Sequence, residues 1–135
     1  MATRKDDEEY PSDPAEMLSE DSILSFKEYI DMQRAIGEET RYRLLHYLTK
    51  CGDVTPKELK TSLNIPGNTL HHHLNTLVDV GLVQKRARNE TDSNSLSTYY
   101  RASPFGKMIL ETGVTEMMQM EDDLREMYGA AEYSE

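Results

Sequence analysis

The chain has no tryptophan, two phenylalanines and a single cysteine, and each scarcity excludes something. With so few large rings, a chain of 135 residues can build only a lean core, enough for one domain plus tails. The lone Cys51 in "TKCGD" cannot close an internal disulfide and lacks the CxxC companion that a zinc site needs. It reads as a small filler near a helix end, with a reactive thiol as the alternative. No apolar run approaches the ~18 residues of a membrane span, and "MATRKDDEEYPSDPAE" contains no signal-peptide core. The expectation is a soluble cytoplasmic protein with no membrane partner. Nucleophile elbows, glycine-rich phosphate loops and paired-carboxylate motifs are also missing. An enzyme is therefore the least supported class, and no cofactor is expected.

What the chain has in excess is acid, with a net charge of -10 that is unevenly spread. Residues 1–37 carry four basic and ten acidic side chains, residues 38–107 carry ten basic and seven acidic, and residues 108–135 carry one basic and eight acidic. A net-positive middle between two acidic ends directs any anionic partner to the middle. As separate stretches, the acidic ends are equally well explained as solvated faces.

Periodicity divides the chain further. The first twenty or so residues lack apolar rhythm and read as a disordered acidic leader, 1–20. A helix capped by Asp21 or Ser22 follows, with Ile23, Phe26, Ile30 and Ile36 at helical intervals up to Gly37. Leu44, Leu45 and Leu48 mark a second helix that stops at Gly52. Thr55, Pro56 and Glu58 form a capping-box start for a third, which must end near Leu63 because Asn64, Pro66 and Gly67 do not continue it. A fourth helix begins at Gly67 or Asn68 and stops at Gly81. Two helices joined by a tight turn make a helix-turn-helix. Beyond Gly81 the period changes to that of a hairpin, with Leu82–Arg88 going out, a polar loop, and Leu96–Ala102 returning. Ser103 and Pro104 then cap a last helix carrying Ile109, Val114, Met117 or Met118, Met120, Leu124 and Met127, with Gly113 as a kink.

The stretch "NIPGNTLHHHLNTLVDVGLV" carries three adjacent histidines. At about 100° per residue, Leu70, Leu74, Leu77 and Val78 share the face that must be buried. His72 points away from that stripe together with Asn68, Thr69, Asn75 and Thr76, while His71 and His73 lie on the flanks. His73 reads as a half-buried packing residue; for His71 packing and exposure are equally plausible. Adjacent helical residues diverge, so these three rings cannot chelate one metal ion. The only other histidine is His46, and no metal ligand is assigned. A polar helix face bearing His, Asn and Thr suits hydrogen bonding to base edges.

The hairpin adds cations. "QKRAR" places Lys85, Arg86 and Arg88 on one strand, with Arg101 on its partner and Lys57 on the preceding helix. Such residues neutralise phosphates. A solvated edge strand guarded by charge explains each one singly, but explains less well a cluster directly after a helix-turn-helix.

The ordered string of helix, helix-turn-helix, "GLV", basic strand and "YYRASPFGK" resembles the ArsR-type winged-helix transcription regulators over roughly Ile36 to Leu110. The resemblance rests chiefly on "IPGNTLHHHLNTLVDVGLV", similar to that family's recognition helix, and on "YYRASPFG", similar to its strand-to-helix junction. It implies a mainly α fold with a small β-hairpin wing, a winged helix-turn-helix (α+β), over residues 21–110. Residues 111–135 would extend the dimerisation helix into an acidic tail. It also implies double-stranded DNA and a second copy of the chain as partners, with Ile23, Phe26, Ile30, Val114, Met117, Met120 and Leu124 at the dimer interface. Asn68, Thr69, His71 and His72 fall where that family places its groove-facing residues. The family's metal sensors use a cysteine pair before the recognition helix or histidines on the last helix. This sequence has neither, and it identifies no effector. The acidic excess resembles salt-adapted proteins of halophilic archaea. Two alternatives stand beside the DNA-binding regulator: a winged-helix interaction module using the methionine-rich last helix, and a metal-responsive regulator with ligands shared between subunits.

Overall fold

The computed structural model describes residues 11–89 and 96–129. The expected leader over its first ten residues, the tip of the polar loop and the end of the acidic tail lie outside the described residues. Within residues 11–20, Asp13 accepts a hydrogen bond from the Ala15 amide and starts a short 3-10 turn over Pro14–Met17.

The first α-helix, α1, spans Phe26–Ile36 rather than starting near Asp21. Ser25 and Glu28 form a reciprocal capping box, with Ser25 Oγ accepting the Glu28 amide and the Glu28 carboxylate accepting the Ser25 amide. That pair satisfies two orphan donors, a stronger start than Asp21 or Ser22 offers. Ile23 therefore precedes the helix and stands 80% exposed. The inward row of α1 is Met32, Ala35 and Ile36, with Tyr29 half-buried; Phe26 and Ile30 occupy an adjacent row outside the core.

Helix α2, Glu39–Cys51, sends Leu44, Leu45 and Leu48 inward and ends at Gly52. Cys51 is exposed there, so it fills no core space. Helix α3, Pro56–Leu63, has the Thr55–Glu58 capping box and ends on Asn64 in the left-handed conformation. Helix α4, Gly67–Asp79, buries Leu70, Leu74 and Leu77. Gly81, at φ 84, gives the reversal that leads into the hairpin.

Strands β1, Val83–Asn89, and β2, Leu96–Ala102, pair antiparallel with Val83 opposite Ala102 and Arg86 opposite Tyr99. An isolated bridge from Val54 to Tyr100 ties the α2–α3 connection to the hairpin, a pairing the sequence pattern did not suggest. Helix α5, Pro104–Glu111, is capped by Ser103, whose Oγ also donates to the Gly81 carbonyl. Gly106 has no room for a β-carbon, which would collide with the Leu82 carbonyl oxygen. That close approach holds α5 against the start of the wing.

One apolar cluster unites α1 to α5 with both strands, and Leu44, Leu45, Leu59, Leu74, Leu77 and Leu82 in it are fully inaccessible. The last helical stretch is broken twice, giving α6, Val114–Gln119, and α7, Glu121–Met127, with no buried residue in either. The break at Gly113 matches the expected kink; the one at Met120 was not foreseen. Among the described residues no helix is long and apolar enough to cross a membrane.

Candidate nucleic-acid interface

Helix α4 is anchored from behind and polar in front. Its leucines are sealed in the core, while Asn68, Thr69, His71, His72 and Asn75 are all exposed. Its first turn follows Pro66 and has no side-chain cap from that residue; Asn68 instead folds back, its Oδ1 accepting the Thr69 amide at 2.9 Å. Thr76 departs from expectation. It is half-buried, and its hydroxyl donates to the His72 carbonyl at 3.1 Å, which commits that donor to the helix itself. Asp79 closes the same outer row with an acid.

His73 lies on the flank, as its position beside the leucine stripe requires. Its Nδ1 sits 3.3 Å from an Arg41 guanidinium nitrogen and 3.9 Å from Glu38 Oε2. Burial lowers its pKa, Glu38 acts in the opposite direction, and Arg41 and His72 add to the lowering. His72 and His73 have ring centroids 5.6 Å apart and tilted planes. No group of three His, Cys, Asp or Glu side chains in metal-binding arrangement occurs among the described residues.

The register sorts the cations of the wing. Residues opposite each other point to one side of the sheet, and successive residues alternate. Val83 and Lys85 therefore share the side of Ala102 and Tyr100, both buried, whereas Gln84, Arg86 and Arg88 share the other with Arg101 and Tyr99. Lys85 is thus separated from the arginines, although it remains exposed because it lies beyond the edge of the core. Arg88 stacks over the Tyr99 ring at 4.6 Å and reaches Asp53 at 3.4 Å. Arg101 donates its Nε–H to Gln84 Oε1 at 3.0 Å and is half-buried. Both serve the hairpin's own structure, while Lys85 and Arg86 are exposed and enter no ion pair among the described residues.

Two shallow depressions flank the turn of the helix-turn-helix. One is lined by Lys57, Lys60, Thr61, Asn64, Ile65 and Pro66, the other by Thr40, Arg43, Thr69 and the same turn. Lys57 was singled out from the sequence, but Lys60 and Arg43 were not. Lys60 runs alongside Gly67, where a β-carbon would lie 3.6 Å from its ammonium. Its spacing of three from Lys57 on α3 was the available signal.

The residues named for a dimer interface are spread over two surfaces. Ile23, Ile30, Val114, Met117, Met120 and Leu124 are exposed in the single chain, and Phe26 is half-buried. Tyr42 on α2 hydrogen-bonds Thr115 on α6, which fixes the start of the terminal segment.

With this geometry in place, comparison with known proteins is informative. Residues 36–86 match the family model described as a helix-turn-helix domain. No curated protein sequence matches the chain. Among solved structures, the chain is similar to a transcriptional regulator homologue from Pyrococcus horikoshii OT3, at 16% identity and TM-score 0.58, covering 73% of this chain and 98% of that one. It is similar to a MarR-family transcriptional regulator from Enterococcus faecalis V583, at 18% identity and TM-score 0.60, covering 83% and 99%. An ArsR-like transcriptional regulator from Rhodococcus sp. RHA1 aligns at 20% identity and TM-score 0.52, covering 80% and 92%. The fold of the chain is the winged helix-turn-helix.

Proposed function

We propose that the chain is a sequence-specific DNA-binding transcription regulator working as a homodimer, with residues 68–80 in the major groove and the 82–102 hairpin along the flanking backbone. The observation that carries this is the two-sided character of α4. A helix fixed by Leu70, Leu74 and Leu77 presents Asn68, Thr69, His71, His72 and Asn75 outward, beside exposed Lys85 and Arg86. A fixed polar helix can discriminate bases, and mobile cations beside it neutralise phosphates whatever the sequence. Lys57, Lys60 and Arg43 extend the phosphate-binding edge past the turn. Arg88 and Arg101 brace the wing and contribute to its positive field.

In this reading residues 1–20 are a leader, 21–110 read DNA, and 111–135 continue the dimerisation surface into an acidic tail. Ile23, Phe26, Ile30, Val114, Met117, Met120 and Leu124 would meet their copies there, and the two recognition helices would address half-sites about 34–36 Å apart. The protein would act in the cytoplasm. Its acidic ends suit a halophilic setting, where the Debye length falls to about 3 Å and overall charge scarcely opposes DNA.

Selection of bound fragments from genomic DNA, followed by sequencing, tests the function. A shared inverted repeat is expected. On that site His72→Ala should cost about 1–3 kcal/mol at one base position, and Arg86→Ala should weaken all sequences alike. Loss of affinity in both variants without a change in preference would remove His72 from the groove. A second reading, a protein-interaction module, is favoured by the exposure of Met117, Met118, Met120 and Met127. Failure to retain duplex DNA even at low salt would select it.

A further inference from the structure

We infer that Arg41 and His73 form a proton-sensitive clamp holding the recognition helix against the corner between α1 and α2. The proposal rests on the DNA-binding reading for its consequence, but its geometry stands without it. Arg41 Nε donates to the Ala35 carbonyl at 2.6 Å, in the last turn of α1. Its own amide donates to the Glu38 carboxylate at 2.8 Å, the cap that starts α2. Its remaining guanidinium arm meets His73 Nδ1 on α4. A single side chain thus ties together three helices, and His73 is the only contact of the set on the DNA-facing element.

The chemistry of that contact has one polarity. Guanidinium can only donate, so Nδ1 must accept and the neutral ring carries its proton on Nε2. Protonation turns Nδ1 into a donor, removes the bond to Arg41 and sets two cations side by side. The groups facing the ring are Glu38 and Arg41 from α2 and His72 from α4 itself; α1 joins through the Ala35 carbonyl. Among the described residues, Glu38, 3.9 Å away, is the acid placed to receive His73, and it already caps the Arg41 amide. Acid therefore pulls the ring toward Glu38 and loosens the tie to Arg41. The movement begins one residue from His72, on the exposed row. His73 is in this sense a positioning residue, and only 12% of its side chain is accessible.

The test compares the full-length wild type with His73→Asn, which keeps a non-titrating acceptor near Nδ1, and with His73→Leu, which keeps none. Two quantities are followed from about pH 8 to about pH 5.5: affinity for a mixed-sequence duplex by fluorescence anisotropy, and α4 amide shifts by NMR without DNA. Every other group is common to the two proteins, so the informative quantity is wild-type affinity relative to His73→Asn. The two should bind alike at the alkaline end, with the wild type losing about tenfold relative to the variant at the acid end. An acid-driven shift of α4 amides should occur in the wild type and be absent from His73→Asn. Should the two proteins titrate in parallel in both measurements, the clamp is overturned. If neither binds duplex, the DNA-binding reading fails on its own, and the amide shifts still decide the clamp.

Discussion

The helix-turn-helix half of the molecule and its C-terminal helices use comparable apolar side chains to opposite ends. In α2 to α4, Leu44, Leu48, Leu59, Leu70, Leu74 and Leu77 are almost wholly withdrawn from water. In α6 and α7 no residue is buried, and Met117, Met118 and Met120 are 56%, 61% and 47% exposed. Capping follows the division in part: Ser25, Glu38, Thr55 and Ser103 each accept a backbone amide at the start of α1, α2, α3 and α5, whereas α4, α6 and α7 have no side-chain cap. Helices this short are marginal alone. The first region buries its apolar side chains within the shared core; the second has an apolar surface without the packing that would justify it within one chain.

The largest expected effect breaks the first side of the comparison. Leu74→Ala leaves a cavity behind α4 and should cost about 2–5 kcal/mol, read from the urea midpoint at constant m-value. A loss below about 1 kcal/mol would mean that α4 is not anchored by this stripe. Next comes the second side. On the proposed homodimer, Met117→Ser together with Met120→Ser should weaken self-association by at least about tenfold in sedimentation equilibrium, while the monomer's unfolding free energy changes by no more than about 0.5 kcal/mol. If the double variant unfolded the helix-turn-helix domain, the two regions would not be separable.

The same contrast explains what could be read from the chain. The helix-turn-helix was legible because its signals are local: a capping box at Thr55, a break at Asn64 to Gly67, and a leucine stripe at helical spacing. The outward set on α4 followed from angle, apart from His71, which angle left open between packing and exposure, and Thr76, whose hydroxyl bonds back to a carbonyl one turn earlier. The start of α1 was misplaced because Ser22 and Ser25 are both good caps, and only Ser25 has Glu28 to reciprocate. The wing's cations looked like one patch in sequence. The strand register separates Lys85 from the arginines, and long-range partners engage Arg88 with Asp53 and Tyr99, which no period could reveal. The Val54 bridge to Tyr100 and the Arg41–His73 contact are likewise products of tertiary approach.

The smallest expected effect concerns the cap that starts α2, a feature α6 and α7 lack. Burial acts to raise the pKa of Glu38, but the amides of Arg41 and Thr40, together with His73 and the Arg41 side chain, outweigh it and hold the carboxyl below its ordinary 4.5. The folded state thus prefers the carboxylate, and at low pH the unfolded chain binds the extra proton. The cap's contribution is therefore present above pH 4.5 and lost as pH falls through the lowered folded value. His73 acts earlier and in the same direction. Its folded-state pKa lies below 6.5, so stability is already declining as pH falls from there. Urea midpoints for the wild type and Glu38→Gln should differ at neutral pH and converge once Glu38 is protonated. Equal midpoints at neutral pH would assign the cap's value to the side-chain oxygen that Gln retains, with charge contributing nothing.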